Sequence, residues 1–463
     1  MLYLLRINQE ILLEENKCQI KGNLKGLARW LKTNLYANLI NLLNNIISSN
    51  QFIERHRLQK NSFTRNRSLP FKSVILFLIN LLKSSIQNEL DKFFKAITTE
   101  DLPDRVVTGS AFTQARKKLS HRAFIEMNKE QTKYFYDNVN YKRWNGLRLI
   151  AIDGSTLILP KNDQTIKEFG EFSHSRKTTP VVLVRASQAY DVLNKIAIDS
   201  ILSPLSVGEL DLASEHIKFS ENNDLYLFDR GYNAFWLFTM IISKGANFCA
   251  RINIRNWKGA RELIASGLRE KVIEIHPSPI AKTKCDKLNL STQIVKIRLI
   301  SIDLENGEKE VIATSLLDEE KYPYELFADL YHKRWIIEES FKLTKSRIEM
   351  ENFSGKLPEA IKQDFYARIF TANLTAILSF TVNEQIKKIN KNKKYEYQIN
   401  KTQAVAKMKD SIVLLFIRRN IDKIIKALQK HFSKNIVPIR PRRTFPRLFK
   451  SKKHYYMAYK PIS

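Results

Sequence analysis

The stretch LRLIAIDGST, residues 147–156, decides how this chain is read: a mostly apolar run meets a lone acid, and glycine, serine and threonine follow. Such a run forms a strand, so the carboxylate of Asp153 is expected at a strand end, on a rigid element. The arrangement returns in DLYLFDRGY, residues 224–232, where an apolar run leads into Asp229. Either acid alone also reads as a turn or cap residue. Between them, VVLVRASQAY (181–190) and residues 196–202 read as strands joined by a turn from Asp191 to Lys195. A three-stranded antiparallel start is predicted, with a helix around Gly208–Phe219 after it.

Beyond Asp229 a helix from about Asn233 precedes a short strand at 247–252. Strands alternating with helices predict parallel pairing in a mixed α/β sheet. From Asn253 to Pro323 the pattern turns to strands again at 272–275, 294–302 and 311–316, the last two joined across Asn306-Gly307, a hairpin signal because both residues of a type I′ turn need positive φ. A β-rich insertion at about 253–323 within an α/β region spanning 141–380 is therefore expected. Residues 1–140 read as helical, with Leu39, Leu42, Leu43 and Ile46 at helical spacing. Within them Ser110 is placed as the cap of a short helix carrying Arg116, Lys117 and Lys118, either a solvated basic face or a DNA-contacting one. Residues 381–463 read as a helical, basic C-terminal region.

Composition narrows the partner. The 463 residues carry 77 Lys and Arg against 47 Asp and Glu, a net charge of +30, with ordinary apolar (44%) and aromatic (10%) content. The excess charge thus rides on folded structure and points to a polyanion. Three separated cysteines, Cys18, Cys249 and Cys285, support neither a disulfide framework nor a zinc knuckle. Arg6 and Glu10 interrupt any signal-peptide core. The longest apolar stretch, Val74–Leu82, contains Asn80 and is too short for a bilayer span of roughly 20 residues, so it reads as a core helix. No membrane partner and a cytoplasmic, nucleoid-associated location are expected.

The third chemical element is YHKRWIIEESFKLTK, residues 331–345. At about 100° per residue, one helix would bring Tyr331, Arg334, Glu338 and Lys345 within about 60° of arc and turn Glu339 away. Alone this is an i, i+4 ion-paired surface helix. Together with two strand-end aspartates, a helical glutamate can converge on a pair of divalent cations, Mg²⁺ by its preference for carboxylate oxygen, and such a pair can cleave a phosphodiester. There is no HExxH, phosphate loop or GxGxxG to support a rival chemistry.

At this point the chain resembles the DDE transposases of bacterial insertion sequences, specifically the insertion-sequence-four group. Its Tyr-x2-Arg-x3-Glu-x6-Lys signature is matched by Tyr331, Arg334, Glu338 and Lys345, beside the DGST and DRGY motifs, AFTQARKKLS near the N-terminus and aromatic, basic residues at the C-terminus. The resemblance implies a ribonuclease-H-like catalytic domain with a β-rich insertion and an N-terminal region that binds terminal inverted repeats. It implies Asp153, Asp229 and Glu338 as catalytic metal ligands, with two Mg²⁺ ions for which Mn²⁺ substitutes. It implies Tyr331, Arg334, Lys345 and, on the strand after Asp229, Arg251 as DNA contacts. Some relatives place a tryptophan in the insertion, shortly before the signature tyrosine, to stack on a flipped base. Here the segment reads KEVIATSLLD, which puts hairpin chemistry by that route in doubt.

The reading is a Mg²⁺-dependent transposase that cleaves the ends of its element with water and directs the 3′-OH at target DNA, cut-and-paste, as a homodimer in the synaptic complex. Rivals are a nuclease of this fold without strand transfer and a noncatalytic transposase-derived DNA-binding protein; joining of cleaved ends to a second DNA separates the first, and the intact acidic triad speaks against the second. The acid-free tail beyond Asp422, with Arg440, Arg442, Arg443, Arg447, Lys450, Lys452 and Lys453 among aromatics, is expected to support DNA contact or synapsis, and helices from about Thr381 to Leu428 the dimer contact.

Overall fold

The computed structural model describes residues 24–65, 67–98, 105–173, 179–304 and 307–440. Six helices come first: α1 (Leu24–Ser48), α2 (Asn50–His56), α3 (Phe71–Ile79), α4 (Ile86–Thr98), α5 (Gly109–Arg116) and α6 (Arg122–Asn138). Helix α3 is apolar nearly all round and buried from Val74 to Ile79, as a core helix requires. Thr108, not Ser110, caps α5, its side chain accepting from the Ala111 N–H at 3.2 Å. Arg116 is not on a basic outer face either. It is buried, pairs with Asp364 at 2.9 Å, and donates to Gln363 and the Ala360 carbonyl. The side chain turns inward because Phe112, one helical turn earlier, faces the core; Lys117 stays exposed.

The sheet follows: β1 (Arg148–Leu159), α7 (Asp163–Phe169), β2 (Val182–Asp191), β3 (Ile196–Pro204), α8 (Glu209–Ile217), β4 (Asp224–Phe228), α9 (Phe235–Ser243) and β5 (Asn247–Ile252). The insertion adds α10 (Lys258–Ser266), β6 (Glu270–Ile275), α11 (Pro279–Lys287), β7 (Val295–Asp303) and β8 (Lys309–Thr314). Helices α12 (Leu326–His332), α13 (Trp335–Ser346) and α14 (Pro358–Ile389), strand β9 (Glu396–Ile399), helices α15 (Lys401–Ile417) and α16 (Ile421–Lys434) and strand β10 (Ile436–Ile439) complete the chain. The eight-stranded sheet has the order β3-β2-β1-β4-β5-β8-β7-β6. β1, β2 and β3 pair antiparallel, and β1, β4 and β5 pair parallel, which is the mixed α/β arrangement expected from the sequence.

The insertion's strands do not stand apart: β8 pairs antiparallel with β5 and carries the same sheet outward. Its helices α10 and α11 lie hidden in the sequence among strand-like runs, because each spends few apolar residues, with Ala260, Leu263 and Cys285 as the buried ones. Asn306 of the expected hairpin turn lies outside the described residues; Gly307 adopts φ +81°.

Strand β1 is longer than expected. Because β2 pairs with it as far as Leu159↔Val182, Gly154, Ser155 and Thr156 stay extended, and Asp153 sits mid-strand. What ends there is β4, paired with β1 from Arg148↔Asp224 to Ala151↔Leu227. That register starts on a buried bidentate pair, Arg148 to Asp224 at 2.7 and 3.0 Å, with the guanidinium 4.7 Å from the Tyr136 ring centroid. Alternation then sends Leu149, Ala151, Leu225 and Leu227 to one face and Ile150, Ile152, Tyr226 and Phe228 to the other. The first face packs under α12, α13 and the start of α14; the second under α8, α9 and the insertion. A third core joins residues of α1 to α6 with those of α14, α15 and α16. Among the described residues α14 alone is long and apolar enough to cross a membrane, and 89% of its most apolar window is buried inside the fold.

Removing one partner of a buried ion pair leaves an uncompensated charge, at a cost of about 3–5 kcal/mol. Arg148→Ala is therefore expected to lower the free energy of unfolding by that amount, read from the shift in denaturant midpoint, and Arg148→Ala with Asp224→Ala to recover part of it. A double variant no more stable than Arg148→Ala would remove the pair's role in setting the register.

Candidate active site

Continuing the β1–β4 register by two residues sets Asp153 beside Asp229 at the point where β4 leaves the sheet. Both follow the parity of Leu149, Ala151, Leu225 and Leu227, so both face the layer holding α13. Asp229 caps the 3₁₀ turn Arg230–Tyr232, its Oδ1 accepting from the Gly231 N–H at 2.8 Å. Asp153 Oδ1 accepts from its neighbour's N–H, Gly154, also at 2.8 Å. Helix α13 reaches the pair because Ile337 and Phe341 anchor it in the same core, leaving Glu338 half-buried between them. Burial pushes the Asp153 carboxyl up to about 6, the Gly154 N–H opposes it, and the charges of Asp229 and Glu338 raise it further against Arg334. The three acids thus share one electrostatic neighbourhood, while Glu339 is exposed.

The signature residues do not lie on one helix. The chain tightens at Lys333 and Arg334, with 3₁₀-type bonds from Arg334 N–H to Tyr331 at 3.0 Å and from Ile337 N–H to Arg334 at 3.2 Å, so Tyr331 lies in the last turn of α12 and Glu338 in the first turn of α13. Arg334 is buried in the joint and donates to Glu338 Oε1 at 3.2 Å, its guanidinium 5.9 Å from the Tyr331 ring and 5.0 Å from that of Trp335. Lys345 Nζ donates to the Thr156 carbonyl at 2.6 Å, tying the far end of α13 to β1. Arg251 pairs with Glu310 on β8. Its Nε, the Nε of Arg334 and the Tyr331 hydroxyl are buried donors with no hydrogen-bond partner among the described residues. Orphaned buried donors are uncommon and call for a ligand or a functional role.

Sequence reading missed two polar residues, Glu209 and Arg185, that lie against Gly154 beside this centre. Glu209, in the first turn of α8, pairs with Arg185 of β2 at 3.4 Å and lines a groove of about 1210 Å³ that also meets Gly231, Trp236, Trp257 and Lys284. An acid in a first helical turn looks like ordinary dipole complementation, so only the fold reveals its neighbours. The C-terminal tail from residue 441 lies outside the described residues.

The donor set suits a hard divalent cation: three carboxylates, with Oδ2 of Asp153 and of Asp229 left without a hydrogen bond among the described residues. Asp153 is also a carboxylate that burial and like charge make unfavourable to ionise, a cost that a cation relieves. Among the described residues no three His, Cys, Asp or Glu side chains are already drawn together as a ligand set; Glu338 is engaged by Arg334 instead.

Comparison with known proteins locates the match on this region. Residues 144–374 match the family model described as a transposase DDE domain. The chain is 23% identical over 283 residues to the transposase InsG for insertion sequence element IS4 of Escherichia coli (strain K12), an alignment covering 61% of this chain and 63% of that relative. Among solved structures, the piggyBac transposase synaptic complex with hairpin DNA aligns with a TM-score of 0.45 and 9% identity over 88% of this chain and 87% of that one.

A carboxyl raised in the folded state is ionised at a cost there, so its unfavourable contribution is present above about pH 6 and fades as pH falls toward the unfolded value. Asp153→Asn should therefore raise the Tm in EDTA at pH 7.5 by a few degrees and change it little at pH 4.5. Equal shifts at the two pH values would show that the Asp153 carboxyl is not so perturbed.

Proposed function

Since this chain belongs to the DDE transposases, of the insertion-sequence-four kind, we propose that Asp153, Asp229 and Glu338 are its catalytic carboxylates and that it cleaves and joins the DNA ends of its own insertion sequence. What supports this reading is that Asp153 and Asp229 share the face of the sheet on which α13 packs, and that the charges of Asp229 and Glu338 both raise the Asp153 carboxyl. Family members use divalent metal ions; here we assign two Mg²⁺, replaceable by Mn²⁺, to these three acids. Bound there, the ions supply Lewis acidity at the scissile phosphodiester. Glu338 changes partner from Arg334 to take its place, which frees the guanidinium for a phosphate oxygen. Tyr331 and Arg251 add donors on the same side, and Lys345 holds α13 against β1 while its charge faces the strand being transferred.

The substrates follow from that assignment: double-stranded DNA bearing terminal inverted repeats, and a target duplex that receives the 3′-OH. Water attacks first and the 3′-OH second, in line with the expected cut-and-paste course. The N-terminal helices bind the repeats, the basic tail supports DNA contact or synapsis, two copies meet in the synaptic complex, and the protein works in the cytoplasm on nucleoid DNA.

Alanine at Asp153, Asp229 or Glu338 should reduce cleavage of a repeat-bearing duplex by at least 10³-fold while repeat binding changes less than threefold in a mobility-shift assay, orders of magnitude set by the loss of an essential catalytic group. Glu339→Ala should stay within a few-fold of wild type. Cleavage that survives Glu338→Ala and fails with Glu339→Ala would overturn the assignment of the helix acid.

A further inference from the structure

Helix α8 crosses the second face of the sheet and is fixed at both ends by polar contacts to the strands beneath it. At its C-terminal end the buried His216 is hydrogen-bonded to Ser187 at 3.0 Å and to Asp199 at 2.6 Å. At its N-terminal end Glu209 meets Arg185. The helix thereby brings Glu209 over the end of β4, against the two glycines that follow the catalytic aspartates. A methyl group built on Gly154 would lie 3.5 Å from Glu209 Oε1. One built on Gly231 would lie 3.2 Å from Asp229 Oδ1 and 3.9 Å from Glu209 Oε2. Gly231 therefore leaves a small cradle that a carboxylate oxygen of Asp229 and one of Glu209 both border.

A second observation points into the same place. Tyr232 is 1% exposed, its hydroxyl has no hydrogen-bond partner among the described residues, and that hydroxyl lies in the field of Asp153, Glu209 and Asp229, opposed by Arg185. A buried phenol among three acids has no reason to stay unbonded unless something is to be bound there. Glu209 itself is 43% exposed and only loosely held by Arg185 at 3.4 Å, so it can turn toward the cradle from the open groove.

We propose that Glu209 is a fourth carboxylate of the cation centre, facing Asp229 across Gly231, with Tyr232 beneath it. This rests on the assignment of Asp153 and Asp229 as metal ligands. Glu209 reaches the ion directly or through one of the waters that Mg²⁺ retains, and Arg185 neutralises it when no cation is present.

The test is Mn²⁺ binding by the full chain without DNA, followed from the electron paramagnetic resonance signal of the free ion, with thermal unfolding in EDTA beside it. Glu209→Gln should weaken Mn²⁺ binding by about 10–100-fold, the usual cost of losing such a supporting ligand, with an unchanged Tm in EDTA. Glu209→Asp should recover part of the affinity, and Arg185→Gln should leave it equal or tighter. Wild-type Mn²⁺ affinity in Glu209→Gln, with affinity lost in Asp229→Asn, would overturn the role of Glu209 alone. Wild-type affinity in Asp153→Asn and Asp229→Asn as well would overturn the metal assignment on which it rests. A lowered Tm in EDTA with unchanged affinity would make Glu209 a brace for α8 and no more.

Discussion

The parallel register between β1 and β4 is the constraint on which the rest of this centre depends, and one buried ion pair fixes it. Arg148 and Asp224 are register partners joined by two hydrogen bonds. Asp153 and Asp229 each stand five residues further along, and so arrive side by side. A one-residue slip would send one aspartate to the opposite face, since side chains alternate along a strand. Buried ion pairs seldom add stability over a well-packed apolar pair, and specifying a single register is their best-attested use. The same guanidinium rests on Tyr136, whose hydroxyl donates to Asp191 at 2.9 Å. Helix α6 and the β2 turn are thereby tied to the choice of register.

Much of this was legible in the sequence because it depends on local pattern. Apolar runs ending in Asp153 and Asp229 marked the strands, and the fifteen-position spacing from Tyr331 to Lys345 marked the helical acid. What could not be read depends on which surface an element meets. Arg116 sits in a basic run, yet it is consumed by Asp364 nearly 250 residues away. The wheel drawn through Tyr331, Arg334 and Glu338 assumed one straight helix, whereas the bonds at Lys333 and Arg334 tighten the turn and place Arg334 in the interior. Asp153 was expected at a strand end because glycine follows it, but β2 holds the strand extended past that point. Glu209 carried no signal of its own, for its neighbours Gly154 and Gly231 lie in the middle of β1 and in the turn after β4.

Helix α14 has a further consequence, for the order in which the molecule can be made. Over 32 residues, about 48 Å at 1.5 Å per residue, it places Ile361, Phe365 and Ile369 in the core under the sheet and Phe370, Leu374 and Leu378 in the core shared with α1 to α6. The N-terminal helices pack partly on one another, as Phe77 does on Phe93 and Phe112, but the rest of their apolar partners arrive only after the entire sheet and its insertion have been synthesised. At about 5–20 residues per second that delay is on the order of ten seconds to a minute. During it the surfaces of these helices that α14, α15 and α16 later cover stand open to chaperones and proteases. A chain terminated before α14 would never cover them.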